Sequence, residues 1–243
     1  MSKKETISLI TIILFFLFGV HSLSWGQITL TVENDTVFCS TTFRYFERLD
    51  SFAIDSLEVI YGHNKKFIDD YKEQCLLALS YYPELKEVKI KFRYSRRENT
   101  TMACRPSART FWGHKRMYHI LINKNKHFDG IHLEQVPFNA QIGIISHEIA
   151  HVVDYEFCTI KQIIRIGINY LNNDKKKAIE HAIDLIVLQR GLGWQLYDWA
   201  MFSMFESIQA SEHYKEFKRN IYMNPDSILQ EMKTINCYSH FFM

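Results

Sequence analysis

A change of periodicity along the chain predicts an α+β fold. In the first half, short segments alternate apolar and polar residues, as half-buried strands do; from Asn139 onward apolar residues return every three or four positions, as on helices. Strands clustered early and helices gathered late make a small sheet with helices packed on it, not a strand-helix alternation. The chain has 243 residues, 47% hydrophobic and 23% charged, with no shift in composition, so one core and one domain are expected.

The elements follow in order. Residues 1–26 read as a secretory signal peptide: Lys3 and Lys4 precede the uncharged run Ile7 to Val20, and Ser-Trp-Gly before Gln27 offers small residues for cleavage. The run is shorter than the roughly 20 residues that span a bilayer, so the expectation is an exported domain of residues 27–243, secreted or periplasmic. The alternative is an uncleaved anchor, the one case that brings in a membrane. Ile28 to Val32 alternates like a strand. Apolar residues at helical spacing from Asn64 to Tyr82 predict a helix that Pro83 stops. In EVKIKFRYS, Val88, Ile90, Phe92 and Tyr94 face one way and Lys89, Lys91 and Arg93 the other, and Met117 to Lys124 gives a further strand after an irregular stretch holding Pro106 and Gly113. The remainder reads as helices over 139–157, 160–171, 175–190 and 194–205, with two shorter ones after Ser211 and Pro225.

Within the first of these helices, Ile144 to Tyr155 reads IISHEIAHVVDY. His147 and His151 are four apart and therefore share a helix face, so their imidazoles can converge on one ion. Glu148 stands on the neighbouring face, suited to act on water at a metal rather than to bind the metal. Ile142, Ile144, Ile145, Ile149, Ala150, Val152 and Val153 make the helix apolar on most sides. Three polar groups in such a helix cost several kcal/mol unless partnered, and a cation is a better partner than chance pairing. About 0.03 accidental H-E-x-x-H matches are expected in a chain of this composition.

A catalytic zinc site needs a third protein ligand and an open position. The helix over 175–190, with Asp174 as its expected N-cap and Gly191 at its end, carries Glu180 and Asp184 on one face. Glu180 is the candidate ligand, and Asp184 the candidate acceptor for the free N–H of a ligating histidine. His181, beside Glu180, would serve instead if the helix were rotated by about 100°, and Asp154 only if the first helix bent there. Phe157 and Cys158 occupy the region in which a third histidine would continue the motif, which excludes the three-histidine version. HEIAH followed some thirty residues later by an E-x-x-x-D helix resembles the gluzincin branch of zinc metallopeptidases. The resemblance covers roughly Asn139 to Gly193. It implies a zincin-like fold, Zn2+ held by His147, His151 and Glu180, and Glu148 as general base in hydrolysis of a peptide or protein substrate. It also implies that the strand Met117 to Lys124 borders the cleft.

The alternative function is a non-catalytic structural or binding protein whose zinc ties two helices together. Tyr155, His114, His119, Tyr197 and His213 are chemically able to stabilise an oxyanion. The formal charge of +2 is too small to imply nucleic acid or another polyanionic partner. Five cysteines, Cys39, Cys75, Cys104, Cys158 and Cys237, allow at most two disulfides, with Cys158 expected to be buried or bridged. Asn34 and Asn99 match glycosylation acceptors.

Overall fold

The structure, a computed structural model, describes residues 41–97, 99–112 and 115–242. The leader 1–26, the strand expected at 28–32, Asn34, Cys39, Gly113 and His114 lie outside the described residues. Helix α1 (Ser51–Tyr61) starts at Asp50, whose side chain accepts from the Ala53 amide at 2.8 Å. Strand β1 (Lys65–Lys66), helix α2 (Lys72–Ser80) and strands β2 (Lys89–Ser95), β3 (Met102–Pro106) and β4 (Met117–Asn123) follow. The sheet order is β1-β2-β4-β3, with β1, β2 and β4 parallel and β3 antiparallel on the edge. The helical half comprises α3 (Phe138–Phe157), α4 (Ile160–Asn169), α5 (Asn173–Gln189), α6 (Gly193–Met201), α7 (Glu212–Ile221) and α8 (Pro225–Thr234). The fold is thus mixed α+β with a small four-stranded sheet, as the change of periodicity predicts.

Several boundaries differ from the sequence reading, each for a local reason. The helix expected over 64–82 begins only at Lys72, because Asn64 adopts φ 61° and Lys65–Lys66 pair with Ile90–Lys91 of β2. Strand β3 lies in the stretch read as irregular; its pairing with β4, Met102 opposite Ile122 through Pro106 opposite Tyr118, creates it. Pro106 is tolerated because it ends an edge strand. Tyr94, expected on the buried side of β2, is exposed and donates its hydroxyl to Asp70. Helix α5 is capped by Asn172, which accepts from the Lys175 amide at 3.0 Å, and Asp174 falls in the first turn instead. The helix ends on Gly191 at φ 94°, a left-handed conformation that glycine adopts without strain.

One face of the sheet builds the core. Ile90 and Phe92 of β2 and Tyr118, Ile120 and Ile122 of β4 join Cys75, Ala78 and Leu79 of α2 and Ile142, Ile145, Ile149 and Val152 of α3 in a single buried cluster. Helix α3 is buried almost throughout and is held on every side. Gln141 bridges Gln74 (2.6 Å) and the Leu133 carbonyl (2.9 Å), and Tyr82 donates to the Ser146 carbonyl at 3.1 Å. At Gly143 it meets α6 so closely that a Cβ would stand 2.1 Å from the Gln195 carbonyl oxygen. At its far end Arg116 donates to the Tyr155, Glu156 and Cys158 carbonyls, satisfying groups that the helix terminus leaves open. Helix α3 is therefore a rigid support for whatever its buried polar residues do. Among the described residues no helix is long and apolar enough to cross a membrane. Cys75, Cys104 and Cys158 are free, and Cys237 is disulfide-bonded. Cys158 is half-buried and unbridged, contrary to expectation.

Candidate metal centre

The helical repeat places His147 and His151 one turn apart on α3, with ring centroids 4.9 Å apart and planes almost perpendicular. Helix α5 packs against this face and presents Glu180. The Glu180 Oε2 lies 3.0 Å from His147 Nε2 and 3.5 Å from His151 Nε2. One ligand atom from each of His147, His151 and Glu180 falls within 4.8 Å of the others, and all three residues are buried. Tetrahedral donors about 2.1 Å from a zinc ion are separated by about 3.4 Å. The two separations from Glu180 bracket that value, so this group could hold a metal ion.

The surrounding hydrogen bonds orient the donors. The His147 Nδ1–H donates to Asp184 Oδ1 at 2.8 Å, which leaves Nε2 facing Glu180. The other Asp184 oxygen accepts from the Met223 amide at 3.1 Å, so the carboxylate that fixes the imidazole is itself fixed. Burial by itself would lower the His147 pKa, but the Asp184 and Glu180 carboxylates lift it to about 10. Burial would likewise raise Glu180; hydrogen bonds from His147 and His151 overcome it and hold the carboxyl well below its ordinary range. In the metal-free protein a proton on His147 balances the charge of these carboxylates.

Glu148 is set apart from the triad. It is buried, and its Oε2 makes no hydrogen bond. Burial pushes its carboxyl above the ordinary range, against the pull of His151 and His147. Strand β3 runs past it: the Cys104 thiol is raised by burial first and then by the charge of Glu148. Strand β3 lies at the sheet edge, while Met117–Asn123, expected to border the cleft, is interior between β2 and β3.

The competing ligands stand elsewhere. Neither His181 nor Asp154 belongs to the converging group, and the His181 Nε2 is buried without a partner. Of the oxyanion candidates among the described residues, Tyr155 stacks on His151 with centroids 6.2 Å apart. The other three point to different surroundings. His119 stands in a row with Lys91 and Arg105 across the sheet, Tyr197 packs on Trp194, and His213 lines a surface groove with Phe217. The Trp194 to Trp199 segment serves packing: Leu196 and Trp199 are buried, and Trp194 meets Phe241 edge-on and stacks on Phe242.

Three further residues complete the environment, and no spacing in the sequence marks them. Tyr170, at the end of α4, has its phenol held above its usual range by burial and by the charge of Glu180. The Tyr222 ring lies 5.6 Å from that of His147. Lys218 is buried, lines the same small cavity as His147 and Asp184, and places its ammonium 4.1 Å from the Tyr222 ring and 5.4 Å from that of Trp199. Burial pulls its pKa down to about 8, although Glu180, Glu148 and Asp184 act against that. Each depends on contacts between helices far apart in the chain. Comparison of the chain with protein-family models, with curated proteins and with solved structures finds no match.

Proposed function

We propose that the chain is an exported zinc-dependent metallohydrolase of zincin-like architecture that cleaves peptide bonds. The observation that carries this reading is Glu148: a buried carboxylate with an unpartnered oxygen, one residue from a histidine of a His-His-Glu group whose separations suit a tetrahedral ion. A bound zinc supplies Lewis acidity, lowering the pKa of water and polarising a carbonyl. His147, His151 and Glu180 would hold it, and Asp184 would keep the His147 ring oriented. Glu148, its pKa raised by burial, takes a proton from the attacking water and returns it to the departing amine. Among the described residues no strand pairs with the outer edge of β3, so an extended peptide can add there as a further strand, its scissile bond directed toward the site.

The deep burial of all three donors favours one other reading, a zinc-stabilised structural or binding protein of the same fold. A closed structural site normally has four protein ligands and no use for a free carboxylate at position 148. Metal analysis and hydrolysis of a mixed peptide library, on the unaltered protein and on Glu148→Gln, separate the two. The proposal expects equal zinc content and loss of nearly all turnover in the variant. Zinc in both proteins and hydrolysis in neither assigns the site to structure.

A further inference from the structure

The face of the sheet turned away from α3 carries charge of one sign. Pairing brings Lys66 of β1, Lys91 of β2, His119 of β4 and Arg105 of β3 into one row across all four strands. Paired residues project to the same side, and Lys91 lies opposite to the buried neighbours Ile90 and Phe92 on β2. Lys89 and Arg93 flank this row on the same face, opposite Met117 and Leu121. Lys66, Lys89, Lys91, Arg93 and Arg105 are exposed, and among the described residues none has a carboxylate partner. Like charges at directly opposed positions destabilise a sheet. A fold that lines them up across successive strands keeps an arrangement that an external anion would relieve.

The neighbouring turn narrows the choice of anion. Residues Ala108–Trp112 follow β3 at the end of the sheet where Lys89 and Arg105 stand, tied there by the Ser107 amide donating to the Met117 carbonyl. In that turn Trp112 is 70% exposed and Phe111 40%, and Arg109 is exposed beside them. Exposed Trp and Phe beside a flat basic surface are what the boundary between lipid headgroups and acyl chains accommodates. A single-stranded nucleic acid instead needs rings interleaved with the cations, and no Phe, Tyr or Trp stands in the charged rows. The net charge of +2 hides this face, because the acidic residues lie elsewhere.

We propose that the outer sheet face, with the Phe111–Trp112 turn, docks the protein on an anionic phospholipid surface. Headgroup phosphates meet the Lys and Arg side chains, and the two rings enter the interfacial layer. The inference stands independently of whether the metal centre is catalytic, since α3 and its polar residues occupy the opposite side of the sheet.

The test is co-sedimentation of the full chain with vesicles of phosphatidylcholine alone and of phosphatidylcholine containing one-fifth phosphatidylglycerol. The apolar run at Ile7 to Val20 is common to every sample, so the readout is the ratio of partition between the two lipid mixtures. A basic residue near an anionic surface contributes about fivefold, so the combined variant Lys89→Glu, Lys91→Glu, Arg93→Glu should lower the ratio by on the order of a hundredfold. High salt should act in the same direction, and Trp112→Ser should weaken binding to the anionic vesicles while leaving salt sensitivity in place. Should the triple variant fail to fold, Lys91→Gln alone should still lower the ratio about fivefold. A ratio indifferent to charge reversal and to salt overturns the proposal. So does charge-dependent binding of a single-stranded oligonucleotide or an acidic peptide by a protein that ignores anionic vesicles.

Discussion

Loading the metal centre should expel a proton, and the number is set by His147. With a pKa of about 10 in the metal-free protein, His147 is protonated at pH 7 by roughly a thousand to one. A metal ion on Nε2 needs the lone pair that this proton occupies, while the Nδ1–H remains bonded to Asp184. Titrating zinc calorimetrically into chelator-treated protein, in buffers of different ionisation enthalpy at one pH, should therefore show about one proton released from His147 per ion. Affinity should rise about tenfold per pH unit between pH 7 and 9. Stability of the metal-free protein moves the other way. Because the folded-state pKa lies above the unfolded value of 6.5, the His147 contribution is complete below pH 6.5 and is lost as pH climbs toward 10. Asp184→Asn removes one of the two carboxylates that raise it, so the variant should release less proton and bind zinc about 10- to 100-fold more weakly. Zinc binding with no buffer dependence and a flat affinity between pH 7 and 9 would refute the pairing of His147 with Asp184 and Glu180.

Other perturbations reach the supports of the site. Gly143→Ala sets a methyl against the Gln195 backbone, which cannot yield as a side chain can, and should lower the free energy of unfolding, measured in urea, by about 3 kcal/mol or more. Arg116→Ala frees three carbonyls at the end of α3 and should cost about 1–2 kcal/mol, with faster amide exchange confined to the last turn beyond His151. Lys218→Met removes a buried ammonium whose pKa is depressed to about 8, so its charge costs stability at pH 7 and that cost disappears as pH rises from 8 toward 10.5. After loss of the ring contacts, the variant should gain about 1–2 kcal/mol at pH 7 and nothing above pH 10, measured by denaturant titration at both values.

The sequence makes the helix of His147 and His151 legible because its signal is local: a polar trio inside an apolar run. Glu180 and Asp184 were readable for the same reason, sharing a face four residues apart. What escaped depends on partners distant in the chain. Helix α1 contributes no buried residue, so no apolar stripe announces it. Strand β3 has the composition of a loop and becomes a strand only because β4 lies beside it. The apolar residues Phe67 and Ile68 fit a helical pattern, yet pairing of Lys65 and Lys66 with β2 keeps the backbone just before them extended. Tyr170, Lys218 and Tyr222 reach the site from the end of α4, from α7 and from the turn after α7, and no pattern relates them. The basic sheet face escaped in a similar way, since alternation spreads its cations over four strands and no single segment looks strongly charged.

On the proposed reading, Glu148 is where the demands of stability and chemistry part. A buried carboxylate oxygen without a partner costs about 1–3 kcal/mol, and the rest of α3 shows how readily this fold satisfies a polar group when it needs to, as at Gln141. A protein selected only to hold its helices together would gain from an uncharged residue at position 148. Glu148→Gln in the metal-free protein should accordingly raise stability by about 1 kcal/mol at pH 7. The sign follows from the raised pKa: the unfolded carboxyl ionises first, so the unaltered protein is favoured at low pH and loses that advantage as pH rises through the folded value. The gap between variant and parent should close below pH 4 and open above it. A variant less stable than its parent at pH 7, with no opening of the gap, would mean that the carboxylate is anchored within the fold and is not held ready for an incoming water.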